Sequence, residues 1–146
     1  MFESLTQYLD KLEEEGCYGW WRSDRTNDEG EIYRLEMPYV EYCPVVEELI
    51  EAIYAFAKEH PEYEMRRYSV VLGRRHLKWS RQGLKAVDVS RADDKTVLCL
   101  LMGLIRGEIF YRGAIMEYLD EGVVMTWLKR LRAIDEWRAK RRKNNG

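Results

Sequence analysis

Histidine, cysteine and proline are scarce in this 146-residue chain, which holds two, three and three of them. Each scarcity excludes something. A structural zinc site needs four converging nitrogen or sulfur ligands. Two histidines, with cysteines at 17, 43 and 99, do not supply them, so no metal and no cofactor is expected. Three cysteines at unrelated spacings make no disulfide framework and point to a reducing cytosol. His60-Pro61-Glu62 matches the H-x-E half of a zinc deaminase, but the P-C-x-x-C half that completes the metal shell is missing. Those residues read as a helix-ending His-Pro. No glycine-rich phosphate loop, Walker lysine motif or G-x-S-x-G elbow is present. Long apolar runs are lacking too. A membrane-spanning helix takes ~20 apolar residues, and the stretch at 97–104 falls well short. Glu3, Asp10 and Glu13 to Glu15 interrupt the opening residues, which are expected to form a helix rather than a secretory leader. The expectation is a cytoplasmic protein with no membrane contact.

What the chain does have is charge and aromatic bulk. Charged residues make up 34% and hydrophobic ones 46%, with five Trp, ten Tyr and three Phe, the composition of a folded domain with a real core. The formal net charge of −2 conceals a division. Residues 1–65 hold 17 acids against 5 bases, and residues 66–146 hold 9 against 19, giving −12 and +10. Either the halves neutralise each other within one domain or a homodimer, or one of them meets a partner of opposite charge. A single globular domain over residues 4–137, followed by a basic tail at 138–146, fits the length.

Periodicity predicts a mainly α fold of about five helices around a buried central one. Ser4 and Gln7 read as a capping box, and Leu5, Tyr8, Leu9 and Leu12 recur at helical spacing up to Gly16, predicting a helix over 5–15. Aromatic and branched residues on either side of Asn27-Asp28-Glu29-Gly30 predict a small β-hairpin within 18–36. Pro44 suits a first helical position, and Val46, Leu49, Ile50, Ile53 and Ala57 form a stripe that His60-Pro61 ends. Residues 61–90 are expected to be irregular with a short helix, a place where a binding surface can lie. Ser90, with Asp93 three residues on, reads as the next helix start. Val97, Leu98, Leu101, Leu104 and Ile105 then line one face, with Cys99, Leu100 and Met102 on others, the pattern of a helix apolar nearly all round and therefore central. Ile115, Tyr118 and Leu119 mark a short helix closed by Gly122. Val124, Trp127, Leu128, Leu131 and Ile134 mark a last one that is expected to dissolve into the basic tail.

Three sets of residues stand out as candidates. Tyr39, Tyr42, Phe110 and Tyr111, with Glu41, Arg106, Glu108 and Arg112 as polar anchors, read as a binding groove, since aromatics and arginine dominate binding hot spots. The same residues also read as corner packing and helix-end caps. Arg138, Lys140, Arg141, Arg142 and Lys143 form a run that can bind phosphates with salt-dependent affinity, or simply end a solvated helix. Cys43, just before a helix start, is the most plausible reactive thiol, though no histidine lies nearby in sequence to act as base.

With these clusters in view, the chain resembles a prokaryotic family, domain of unknown function 6508. The likeness rests on Pro38-Tyr-Val-Glu-Tyr-Cys-Pro-Val-Val and on Ala92-Asp-Asp-Lys-Thr-Val-Leu-Cys-Leu-Leu-Met-Gly-Leu-Ile-Arg, then Glu108, Phe110, Gly113, Gly122, Leu128 and Leu131. Where that family commonly has arginine before the phenylalanine, this chain has Ile109. The resemblance implies a compact, mostly helical cytosolic domain and brings no catalytic residue. The resulting expectation is a non-enzymatic protein-interaction or regulatory module, of a phage or mobile element, whose acidic surface meets a nucleic-acid-binding host protein. The alternatives are nucleic-acid binding through the basic half, and a small enzyme with a carboxylate or Cys43 site.

Overall fold

Burial explains the architecture best when read from the helix at Asp94–Gly107, in which every side chain from Thr96 to Ile105 is out of water. The computed structural model describes residues 1–26 and 28–145, with backbone alone at Arg25, Tyr33, Leu35, Glu36 and Asn145. Its elements in order are α1 (Glu3–Thr6), α2 (Leu9–Glu14), β1 (Gly19–Thr26), β2 (Ile32–Tyr42), α3 (Pro44–Glu59), α4 (Tyr68–Arg74), α5 (Asp94–Gly107), α6 (Ala114–Asp120) and α7 (Val123–Asn145). Short 3-10 turns at Pro61–Tyr63, Met65–Arg67 and Gly83–Ala86 fill the irregular middle. The fold is mainly α with a small antiparallel hairpin.

A central position for α5 follows from its sequence, since a helix apolar on all sides is stable only when covered on all sides. Helices α3, α4, α6 and α7 and the Met65–Arg67 turn all pack on it. Leu98, Leu100 and Leu101 are at most 1% exposed, each worth about 1.5–3 kcal/mol of burial. The remaining core comes from single stripes: Leu5, Leu9 and Leu12 of the N-terminal helices, Val46, Leu49 and Ile53 of α3, and Trp127, Leu128 and Leu131 of α7.

Four local expectations change. The first helix begins earlier and is broken in two. Phe2, fully buried, donates its backbone N–H to Asp135 (2.8 Å), which sets the start at Glu3 and leaves Ser4 inside the helix rather than at its cap. The cap of helix α5 lies three residues beyond the expected Ser90. Asp93 itself is the cap, accepting from the Thr96 N–H at 2.9 Å, a bond that satisfies one orphan donor of the first turn. The hairpin is longer than 18–36. Strand β2 runs on to Tyr42, paired with Gly19, with a register shift between Arg22 and Asp24. Of its expected turn, Asn27 lies outside the described residues. Finally, α7 continues to Asn145 instead of dissolving at Arg138. Arg138 reaches back to Asp94 (2.7 Å), which gives the last turns a tertiary anchor.

The oppositely charged halves meet within the chain at Glu13–Lys129 (2.8 Å) and Glu64–Lys95 (3.2 Å). Among the described residues no helix is long and apolar enough to cross a membrane.

Candidate binding groove

Gly103 and Gly107 stand four apart on α5 and therefore on one face of it. Trp79 and Tyr68 fill the space their missing side chains leave. A Cβ on Gly107 would lie 2.3 Å from the Trp79 ring, and one on Gly103 3.3 Å from Tyr68. Tyr111 stacks on Trp79, with ring centres 5.2 Å apart. Two small residues in a helix of large ones thus bring three aromatics to one edge of the core.

Along that edge lie three adjoining pockets. The first, about 400 Å³, is lined by Lys58, Pro61, Glu64, Met65, Arg66 and Arg67. The second, about 680 Å³, shares Lys58 and Arg66 and adds Tyr54, Tyr68, Met102 and Arg106. A third, about 420 Å³, shares Tyr68 and adds Lys78, Trp79, the two glycines and Phe110. Each element delivers its part for a local reason. The last turns of α3 carry Tyr54 and Lys58 one helical turn apart. Met65, 1% exposed, pins the turn that presents Arg66. Arg106 is the exposed residue at the end of buried α5.

Lys58, Arg66, Lys78 and Arg106 have no carboxylate partner among the described residues. The one acid in the groove wall, Glu64, is already engaged by Lys95 at 3.2 Å, and that ammonium holds its carboxyl below the usual range. A separate pocket of about 400 Å³ between α5 and α7 differs in this respect. There Asp93 pairs with Arg75 (3.1 Å), Asp94 with Arg138, and Arg130 donates to the Ala92 carbonyl (2.9 Å).

The candidate residues from the sequence fall into three places. Tyr42 and Glu108 meet beneath the surface: the tyrosine hydroxyl donates to the carboxylate at 2.8 Å, which also accepts from the Gly113 and Ile115 N–H groups. Glu108 thereby satisfies backbone donors at the start of α6, whose cap position is Gly113. Tyr39 and Glu41 lie on β2, where Glu41 holds Arg22 at 2.6 Å. Arg106 and Phe110 line the groove, Tyr111 backs it through Trp79, and Arg112 is exposed beside them. In the tail, Arg138 is committed to Asp94 and Arg141 sits over the Trp137 ring at 5.1 Å, while Lys140, Arg142 and Lys143 are exposed on α7. His60 stacks on Phe56 with centres 4.4 Å apart and faces Glu62 at 3.1 Å. Among the described residues no group of three His, Cys, Asp or Glu side chains is placed to hold a metal ion. Sequence reasoning missed Tyr54, Lys58, Arg66, Tyr68, Lys78 and Trp79. For Tyr68 and Trp79 the available signal was the Gly103/Gly107 spacing, which marks a close approach in an otherwise bulky helix; the other four left none.

The fold and groove describe a mainly helical domain with a basic, aromatic-lined cleft against its central helix. Residues 72–137, from the end of α4 into α7, match the model of a family of unknown function (DUF6508), the family the sequence resembles. No curated protein and no solved structure matches the chain.

Proposed function

We propose that the chain is a non-catalytic binding module that holds a polyanionic partner in the groove between α3, α4 and the end of α5. The observation that carries this reading is the convergence of Lys58, Arg66, Arg106 and Lys78 on contiguous pockets with no carboxylate paired to any of the four among the described residues. Like charges gathered without counter-ions repel one another, and a bound anion relieves that repulsion. The test is retention on a heparin matrix or binding of labelled polyphosphate at two salt concentrations. Reversing Lys58, Arg66 and Arg106 to Glu abolishes salt-sensitive binding under this reading. Unchanged binding by the triple variant overturns it.

A second reading rests on the opposite side of the charge division. Glu47, Glu48 and Glu51 on α3, with Asp10 and Glu14 on the adjoining α2, are exposed and have no cation partner among the described residues. Such a row can imitate nucleic-acid phosphates and dock on a nucleic-acid-binding host protein, the behaviour of a phage or mobile-element inhibitor. Replacing Glu47, Glu48 and Glu51 by Lys would then abolish salt-sensitive capture of a basic partner, and capture that survives counts against it. Both readings suit a reducing cytoplasm, with Cys17, Cys43 and Cys99 all as free thiols.

A further inference from the structure

Resting on the polyanion reading above, we infer that the occupant of the groove is single-stranded nucleic acid, with phosphates on Lys58, Arg66, Arg106 and Lys78 and bases against Tyr54, Tyr68 and Phe110. Cations alone would suit any polyanion, so the aromatics decide the class. Tyr54 is 43% exposed and Phe110 79% exposed, each on the wall of a pocket rather than scattered over the surface. Tyr68 stands at the boundary of the second and third pockets and lines both. Positive and aromatic side chains thus share the walls of adjoining pockets: Lys58, Arg66 and Arg106 with Tyr54 and Tyr68 in the second, Lys78 with Tyr68 and Phe110 in the third.

That combination is what a single strand requires. Its backbone presents a charge at each nucleotide, and its unpaired bases offer flat faces that stack on aromatic rings regardless of sequence. A duplex hides those faces inside its own stack, leaving the rings of the groove without partners. An acidic peptide brings carboxylates for the cations but no planar surface for Tyr54 or Phe110. The pockets, at about 680 and 420 Å³, fall in the size range of sites that enclose small flat ligands. Exposed aromatics grouped on pocket walls are otherwise an unfavourable use of surface, since they face water with nothing to cover them.

The test is fluorescence anisotropy of the full chain with a labelled twelve-nucleotide pyrimidine strand, a duplex of the same length and a twelve-residue polyglutamate. The single strand should bind at least tenfold tighter than either competitor, with a log–log salt slope of about −3 for four phosphate contacts. Phe110→Ala, at a position too exposed to matter for folding, should weaken strand binding about tenfold and leave polyglutamate binding unchanged. Circular dichroism of that variant confirms that the fold is kept. Equal binding of strand and polyglutamate, insensitive to Phe110→Ala, overturns the nucleic-acid assignment while the polyanion reading stands. Tighter binding of the duplex also overturns it. No binding of any of the three, with none on heparin, removes both.

Discussion

The Tyr42 hydroxyl donates to Oε1 of Glu108 at 2.8 Å, joining the end of the hairpin to the turn between α5 and α6 across 66 positions of sequence. The same hydroxyl accepts from the Met116 N–H at 3.1 Å, and the carboxylate accepts from the Gly113 and Ile115 N–H groups at 2.7 and 3.0 Å. Burial, reinforced by the neighbouring Glu108, pushes the Tyr42 hydroxyl far above its ordinary range, so it stays a neutral donor. Glu108→Ala leaves three donors without their acceptor and should cost about 3 kcal/mol, against about 1.5 kcal/mol for Tyr42→Phe. Urea unfolding of both single variants and the double variant checks the pairing. A coupling above about 0.5 kcal/mol is expected, and strictly additive losses would show that the two groups do not act together.

The cap of α5 makes a pH-dependent contribution. Burial alone would raise the Asp93 carboxyl, but hydrogen bonds from Thr96 and Arg75 together outweigh it and leave the group below the usual range. A depressed carboxyl stabilises the fold fully above its unfolded value of 3.8 and loses that contribution as pH falls through the folded value. Asp93→Ala should cost about 1 kcal/mol at neutral pH. Asp93→Asn keeps a capping oxygen but cannot titrate. The stability gap between the native chain and Asp93→Asn should therefore shrink between pH 6 and pH 2.5 in thermal melts. A gap that does not change with pH removes the carboxylate from this role.

Such caps also show where sequence reading succeeds. Helix α3 could be placed to the residue because both its signals are local: Pro44 opens it and His60-Pro61 closes it. The interior of α5 was equally plain, as no other placement buries residues apolar on every side. Its start was not, because Ser90 and Asp93 both carry capping chemistry and Ser90 instead donates its N–H to Asp88 in the preceding turn. The early start of α1 and the continuation of α7 depend on Asp135 and Asp94, partners more than 40 positions away. The groove was the least legible part. Lys58, Arg66, Lys78 and Arg106 come from four separate segments, and no spacing in the chain records their meeting.

Packing at the glycine face of α5 gives a steric prediction. Gly107→Ala places a methyl 2.3 Å from Trp79, so ring and helix must separate, at a cost of about 1–3 kcal/mol. Gly73→Ala, in α4 with open space around its Cβ, should instead be neutral or gain up to about 1 kcal/mol from helix propensity. Urea midpoints separate the two cases. If both substitutions behave alike, Trp79 does not occupy the gap in solution.

The three thiols should differ sharply in reactivity. Cys17 is exposed, Cys43 is 6% exposed at the start of α3, and Cys99 is fully buried in α5. Burial pushes the Cys99 thiol up to about 11, so only about one molecule in ten thousand carries its thiolate at pH 7. A disulfide reagent at neutral pH should therefore consume one equivalent quickly in the folded protein and three after denaturation. Cys17→Ser should abolish the fast phase. This also tests the idea of a small enzyme built on Cys43: a nucleophile must meet its substrate, so a catalytic Cys43 would label quickly even with Cys17 removed. A fast equivalent that persists in Cys17→Ser would reopen that chemistry, while its absence leaves Cys43 as a buried residue of the helix start.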